Sequence, residues 1–230
     1  MIDILRDADR GRADFGWLQS RHSFSFGSYS NPDRMGFGVL RVINQDRVAP
    51  GRGFERHPHR DMEILSYVLE GTLEHADSLG NGSRLEAGAF QRMTAGTGVL
   101  HSEFNGSDSA PLHFLQIWIE PSQRGLAPGY QEARLPDDAA PIALVASGRD
   151  PAAPIALAQD ASISLLRLAP GERIERILDP GRRAWIQLIR GRIRLGADLM
   201  LAAGDGAGLS EGPVDLVASD AVEALLFDLP

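Results

Sequence analysis

Two short strings of side chains that can bind metal ions dominate the chemistry that this sequence offers. One is His-Pro-His, from His57 to His59, and the other is His-Ser-Glu, from His101 to Glu103. In each string the two donors stand at positions i and i+2, which face the same side of a β-strand. Two such strands inside a barrel would place three imidazoles and one carboxylate around a single ion. Such ligands suit a first-row divalent metal such as iron, and four of them leave coordination positions open for substrate or dioxygen.

The sequence around both strings is similar to the two cupin motifs. Residues 51–71 read GRGFERHPHRDMEILSYVLEG, and residues 88–105 read GAFQRMTAGTGVLHSEFN. This wording, together with HSFSFGSY at 22–29 and QIWIEP at 116–121, resembles the pirin family, whose bicupins include bacterial quercetin 2,3-dioxygenases. The resemblance is strong over residues 15–121. It implies an all-β fold made of two antiparallel β-barrel, jelly-roll-like domains.

The resemblance also implies which residues hold the metal. We expect one divalent metal ion per chain, Fe(II) or another first-row ion, held by His57, His59, His101 and Glu103. Most cupins take their carboxylate from the first motif, so Glu63 is the alternative fourth ligand. The usual spacing, counted back from Gly71, falls on Ile64 rather than on Glu63, which favours Glu103.

The remaining candidates have ordinary structural interpretations. If Glu63 is not a ligand, we expect a buried or rim carboxylate paired with an arginine such as Arg60. His75 lies at the polar end of a strand, where we expect it to be exposed. His22 and His113 lack partners at ligand spacing and are interpreted as structural residues.

Two functions from different classes follow from the resemblance. The first is a dioxygenase that cleaves the central ring of a flavonol such as quercetin with release of carbon monoxide, in which Glu103 is both ligand and catalytic base. The residues expected to bind the small aromatic substrate are Phe24, Phe26, Phe37, Phe54 and Gln116. The alternative place for the phenylalanines is the core, and the alternative role of Gln116 is a hydrogen bond to the backbone. The second function is a redox-responsive regulator, whose metal acts as the switch and whose protein partner is a transcription factor or a metabolic enzyme.

Composition excludes several other classes. The 230 residues suffice for one large β domain or two of about 100 residues. The net charge of −8, without a block of like charges, argues against binding to nucleic acid or an anionic membrane. Cysteine is absent, no apolar run approaches a membrane span, and the first residues are too polar for a signal peptide. We therefore expect a cytoplasmic protein.

The order of apolar and turn-forming segments predicts the domains. Short β-rich segments separated by Gly-rich turns, beginning with HSFSF at 22–26, favour an antiparallel sandwich or barrel. We predict an N-terminal metal-binding cupin domain over 1–125 and a linker and crossover over 126–160, with a short strand at IALVAS. A degenerate cupin domain without a metal site follows over 161–230.

An internal repeat supports two copies of one barrel. Ala-Pro-Gly at 49–51 recurs at 169–171, an offset of 120, and Leu-Glu-Ala-Gly at 85–88 matches Leu-Ala-Ala-Gly at 201–204, an offset of 116. These offsets replace the four expected metal ligands by Ile177, Asp179, Val217 and Ser219. The second copy is thus expected to hold no metal, which leaves it a structural or partner-facing role.

Overall fold

The chain folds into two all-β units. The computed structural model describes residues 2–136, 138–210 and 212–230; Met1, Asp137 and Glu211, which fall within the three predicted regions, lie outside the described residues. The N-terminal unit comprises Gly11–Leu135 and Leu157–Gln159. The C-terminal unit comprises Pro136–Ala156, Asp160–Pro230 and the segment that ends at Arg10.

The N-terminal unit contains one four-stranded and one seven-stranded sheet. Its strands are β2 (Gly11–Asp14), β3 (Leu18–His22), β4 (Leu40–Val48), β5 (Gly53–His59), β6 (Glu63–Glu70), β7 (Thr72–Asp77), β8 (Gly82–Glu86), β9 (Ala89–Thr94), β10 (Val99–Asn105), β11 (Leu112–Ile119) and β12 (Gly129–Arg134). The small sheet has the order β5-β10-β7-β8, and the large sheet has the order β12-β9-β6-β11-β4-β3-β2. Two separate antiparallel sheets therefore take the place of the closed barrel that was expected.

The C-terminal unit has the same pair of sheets. Its strands are β1 (Ile2–Leu5), β13 (Ile142–Ser147), β14 (Ile155–Ala156), β15 (Ser162–Leu168), β16 (Arg173–Ile177), β17 (Arg183–Arg190), β18 (Arg192–Leu195), β19 (Leu199–Ala202), β20 (Gly206–Leu209), β21 (Pro213–Ala218) and β22 (Val222–Leu229). The small sheet runs β16-β21-β18-β19 and the large one β1-β20-β17-β22-β15-β13-β14. Of the strand pairs described, only β13 and β14 are parallel.

Equivalent glycines show that the two units repeat one structure. Gly71 ends β6 at φ +81°, and Gly191 ends β17 at φ +82°, so the offset of 120 holds. A β-carbon would lie 2.5 Å from the Pro111 carbonyl oxygen at Gly71 and 2.3 Å from that of Ala221 at Gly191. Only glycine fits both the backbone angle and the close approach.

Strand pairing corrects the residues assigned to the second copy of the metal site. Leu195 pairs with Leu216 in the C-terminal unit as His75 pairs with Glu103 in the N-terminal unit. The counterpart of Glu103 is therefore Leu216, an offset of 216 − 103 = 113, and not Ser219. Further residues are missing from the second copy between its hairpin and β21, so the offset of 116 does not extend to that strand.

Those corrected positions belong to an apolar core. Leu195 and Leu216 are 2% and 0% exposed and join the large cluster of aliphatic side chains in the C-terminal unit. Strand pairing places Arg176 rather than Ile177 at the position of His57, because Arg176 pairs with Val214 as His57 pairs with His101; Ile177 ends β16 and is 81% exposed. The second copy thus fills with hydrocarbon the space in which the first copy holds polar side chains.

The boundaries of several predicted segments differ from the structure. β3 ends at His22, so most of HSFSF is not a strand. The segment up to Arg10 belongs with the C-terminal unit because β1 pairs with β20, at the sheet edge where β12 pairs with β9 in the other unit. The predicted linker contains strands of both units, and IALVAS forms β13 as expected. Among the described residues, no helix is long and apolar enough to cross a membrane.

Candidate metal centre

The central strand of the small N-terminal sheet carries the two halves of the site. Buried and partly exposed residues alternate along most of β10, and His101 and Glu103 both lie on the buried face. His101 pairs with His57 on β5, and Glu103 pairs with His75 on β7. A shift of register between His101 and Glu103 marks an irregularity against β5. The i, i+2 spacing thus brings the two side chains to one surface.

Three imidazoles converge at this surface, and we call His57, His59 and His101 the histidine cluster. Their ring centroids lie 4.5–4.8 Å apart, and one ring nitrogen of each lies within 4.8 Å of the others. His57 Nδ1 donates to the backbone oxygen of Glu55 at 2.7 Å, which leaves a lone pair on Nε2 in the neutral ring. That Nε2 lies 3.1 Å from His101 Nε2. Two ring nitrogens aimed at one point, one oriented from behind by a carbonyl, fit a shared metal ion.

Burial keeps two members of the histidine cluster, His59 and His101, in the form that binds metal. Desolvation, reinforced by the charges of His101 and His57 and opposed by Glu103, lowers the pKa of His59 to about 4. Desolvation, together with His57 and His75 and opposed by Asp77, lowers the pKa of His101 to about 3. Both rings are therefore neutral near pH 7, and a neutral imidazole is the form that donates to a metal.

Glu103 is a buried carboxylate held by the large sheet. It is 1% exposed. Its Oε1 accepts from Ser66 Oγ at 3.0 Å and Gln91 Nε2 at 2.9 Å, and its Oε2 accepts from Gln116 Nε2 at 2.7 Å. Three donors compensate for the burial of the carboxylate. Gln116, which was expected to bind substrate, points its amide at Glu103. Sequence reasoning did not identify Ser66 and Gln91.

Glu63 has different surroundings. It is fully buried, and its Oε2 accepts from the backbone N–H of Ala158 at 3.2 Å. The arginine that interacts electrostatically with Glu63 is Arg92 rather than the expected Arg60. Burial lowers the pKa of Arg92, and the charge of Glu63 opposes that shift. Within the described residues, Glu103 and not Glu63 belongs to a group of side chains that could hold a metal.

His75 is buried, so the expectation that it is exposed is wrong. It is 2% exposed, it faces Glu103, and its ring stacks on Tyr130 at 4.7 Å. His75, His101 and Glu103 form a second group of potential ligands, which we call the inner triad. The signal was in the sequence: His75 follows Leu73 at i+2, so the two share the face that Leu73 buries in the core.

Tyr130 joins the same polar network. Its hydroxyl lies 2.8 Å from Gln91 Oε1 and 2.6 Å from Ser83 Oγ. Burial, with Glu132 nearby, raises the pKa of the Tyr130 phenol, although the Ser83 hydrogen bond opposes this shift. Tyr130 is thus a neutral hydrogen-bonding group that connects Gln91, a partner of Glu103, to the ring of His75. No motif marked it in the sequence.

The phenylalanines expected to bind substrate are dispersed. Phe24 is 1% exposed and belongs to the core, Phe54 packs on Trp17 at 5.4 Å, and Phe37 forms a local turn with Leu40. Only Phe26 approaches the site, through Trp118. The strand expected to align Phe24 with Phe26 ends before both, which is why the structure does not bring them together.

Trp118 is the aromatic residue beside the histidine cluster, and sequence reasoning did not assign it to the site. Its ring lies 5.0 Å from that of His59, edge to face, and 5.4 Å from that of Phe26. Its Nε1 is buried without a hydrogen-bond partner. The site therefore has an aromatic wall with one free N–H group.

Fold and site together define a class: a bicupin with one unit equipped for metal and one filled by an apolar core. The sequence model of the family described as Pirin matches residues 6–119, and that described as the quercetinase C-terminal cupin domain matches residues 144–229. The chain belongs to the pirin family.

Individual relatives match along their whole length. The protein named quercetin 2,3-dioxygenase from Escherichia coli K12 is 42% identical over 231 residues, which cover 100% of this chain and 99% of the relative. The crystal structure of the bacterial pirin YhhW from Escherichia coli in complex with nickel(II) superposes with a TM-score of 0.95 at 42% identity, covering 100% of this chain and 99% of that one. YhaK from Escherichia coli is more distant, at 32% identity and a TM-score of 0.77, covering 96% of this chain and 98% of that one.

Proposed function

We propose that this protein is a metal-dependent dioxygenase that opens the central ring of flavonols such as quercetin. The proposed ligands of one divalent ion, which we propose is Fe(II), are His57, His59, His101 and Glu103. The observation that carries the proposal is the position of Glu103, a buried carboxylate on the same strand face as a neutral imidazole of the histidine cluster. The full-length relative named quercetin 2,3-dioxygenase supports the choice of substrate, and dioxygen is the second substrate.

The proton chemistry is assigned to Glu103. When bound, a divalent metal lowers the pKa of a hydroxyl that coordinates it. Glu103 then takes the proton of the flavonol 3-hydroxyl on a carboxylate oxygen. Gln116 on Oε2, with Ser66 and Gln91 on Oε1, fixes that carboxylate in one orientation. Such preorganisation means that little reorientation is needed when the proton moves.

Aromatic and apolar groups at the mouth of the site suit a flat substrate. Trp118, with Phe26 against it, forms a wall beside His59. A surface pocket of about 480 Å³ reaches His59 and includes Val99 and Leu100. Pockets of about 300–1,000 Å³ are typical of small-molecule sites.

The test is turnover of quercetin by the metal-loaded protein. We expect oxygen consumption and quercetin loss together, and a fall of about 10²- to 10⁴-fold in Glu103→Gln, which keeps the side-chain size but cannot take the proton. His113→Gln is the matched control, because His113 is a buried histidine whose partner is Gln45 rather than the site. Equal, slow oxidation by all three proteins would place the activity elsewhere and refute the proposal.

A further inference from the structure

His75 lies beside the histidine cluster but has no part in the function proposed above. Its side chain is 0% exposed, and its ring centroid lies 5.3 Å from that of His101. In the inner triad, one potential ligand atom from each of His75, His101 and Glu103 lies within 4.8 Å of the others. Two imidazoles and one carboxylate are a donor set that first-row divalent metals accept.

Asp77 orients His75 in the way that metal ligands are oriented. His75 Nε2 lies 3.3 Å from Asp77 Oδ2. A carboxylate oxygen only accepts, so the ring donates from Nε2, and the neutral ring keeps its lone pair on Nδ1. Metal-binding histidines commonly donate their second N–H to a carboxylate in this way. Asp77 is in turn fixed by Leu79 N–H at 2.8 Å and by the Asn81 side chain at 2.8 Å.

The inner triad also contains donor atoms that nothing else uses. The Nδ1 atoms of His75 and His101 are both buried without a hydrogen-bond partner. Unpaired polar atoms in the interior are costly, and each such atom in a folded protein calls for a partner. Glu103 accepts three hydrogen bonds, and a carboxylate offers about four lone-pair positions, so one position remains.

Stacking on Tyr130 does not account for these atoms. The stack buries the face of the His75 ring, and Asp77 pairs with Nε2, but neither contact supplies a partner for Nδ1. If His75 only filled space, an apolar side chain of similar size would serve as well. A metal ligand, by contrast, needs a free ring nitrogen, and His75 Nδ1 is free.

We infer that His75, His101 and Glu103 form an inner position for a first-row divalent cation, next to the position at the histidine cluster. Both positions use His101 and Glu103. A neutral imidazole has a lone pair on only one ring nitrogen, so His101 serves one position at a time and one ion occupies them in turn. The inference rests on the proposed function only in taking His101 and Glu103 to be open to metal.

The experiment is a Co²⁺ titration of chelator-treated protein, followed by visible absorption and calorimetry. The variant His57→Ala/His59→Ala removes the outer histidines and leaves the inner triad complete. We expect it to bind one Co²⁺ per chain more weakly than wild type. Adding His75→Ala should abolish that binding, whereas adding His113→Ala, at a buried histidine outside the triad, should leave it unchanged.

A milder change keeps the test decisive if the triple variant does not fold. In the His57→Ala/His59→Ala background, Asp77→Asn removes the carboxylate behind His75, and loss of such a partner weakens metal affinity by about 10- to 100-fold. Circular dichroism and thermal unfolding establish that each variant is folded. A folded double variant that binds no Co²⁺, or one whose binding ignores both His75→Ala and Asp77→Asn, overturns the inner position. Failure of wild type to bind Co²⁺ would instead refute the metal site of the proposed function.

Discussion

At the scale of single residues, burial sets the chemistry of the centre. His101 and Glu103 are both 1% exposed, yet the histidine is held neutral and the carboxylate is surrounded by donors. Desolvation keeps the imidazole a lone-pair donor, whereas three hydrogen-bond donors offset the burial of the carboxylate on the same strand face. A divalent cation would bind the His101 lone pair and offset the buried charge of the Glu103 carboxylate.

The metal-free protein should lose stability in mild acid. Histidine in an unfolded chain titrates near 6.5, whereas the folded pKa is about 4 for His59 and about 3 for His101. Between these values the unfolded chain binds more protons, so stability rises with pH and falls as pH drops from about 6.5 to about 4. The melting temperature of chelator-treated protein measures this slope. His59→Asn/His101→Asn should flatten it, and an equal slope in both proteins would contradict the assignment.

The two buried glutamates should differ in metal content. Within the described chain, Glu103 is the only carboxylate in a group of potential ligands, which it forms with His75 and His101, so purified Glu103→Ala should retain little metal. Glu63→Gln should keep it, since Glu63 bonds the backbone at Ala158 instead. Elemental analysis after loading with iron compares the two. An empty site in Glu63→Gln and a full one in Glu103→Ala would reverse the ligand assignment.

The sequence was informative about residues whose spacing is local. His57 with His59 and His101 with Glu103 are i, i+2 pairs, and strand alternation alone places each pair on one face. The partners of Glu103 come from β6, β9 and β11 and meet only through long-range pairing, so no local pattern could predict them. The exposure of His75 was predicted wrongly because its polar neighbours suggested a strand end at the surface. Its position two residues after Leu73, on the same strand face, was the better guide.

At the scale of elements, the turn after β6 fixes where β7 begins and hence where His75 points. Gly71 occupies φ +81° with its α-carbon against the strand that starts at Leu112. Inserting or deleting one residue here would shift the register of β7 and reverse which of its side chains face the interior. His75 would then leave the interior, and Glu74 would take its place. The glycine therefore positions the inner triad as well as the turn.

Gly71→Ala should destabilise the protein more than Gly80→Ala. Both glycines have positive φ, a conformation that costs other residues about 1–2 kcal/mol. Only at Gly71 would the new β-carbon also lie 2.5 Å from a backbone oxygen, whereas nothing lies within 4 Å of it at Gly80. Urea unfolding measures both variants. A lower midpoint for Gly80→Ala than for Gly71→Ala would show that the close approach is unimportant.

At the scale of the whole molecule, one architecture has been used twice with different interiors. The sheet orders correspond strand for strand except at the two edges. At one edge, β14 pairs in parallel with β13, whereas β2 pairs antiparallel with β3. At the other edge, β1, from the start of the chain, takes the place that β12 takes in the other unit. The repeat was visible in the sequence, but this exchange was not, because the first strand carries no similarity to β12. The metal positions were misaligned for a related reason: a shortened hairpin and further losses before β21 changed the offset from 116 to 113.

The chain should bind one metal ion. In the C-terminal unit, Leu216 and Leu195 stand where Glu103 and His75 stand in the N-terminal unit, and both are buried among aliphatic side chains. Leucine offers no donor, and an ion in that core would lack the ligands that offset its desolvation. In the N-terminal unit, the histidine cluster and the inner triad share His101, whose neutral ring has one lone pair, so occupancy of one position excludes the other. We expect elemental analysis of dialysed, metal-loaded protein to give one ion per chain, and His57→Ala/His59→Ala/His75→Ala to give none. Leu216→Ala is the control for the second core: it should lower the stability by about 2–5 kcal/mol while leaving the metal stoichiometry at one.

Two tightly held ions per chain in wild type would contradict this prediction. They would show either a second site in the C-terminal unit or simultaneous filling of both N-terminal positions, and the Ala variants in the two units would distinguish these cases.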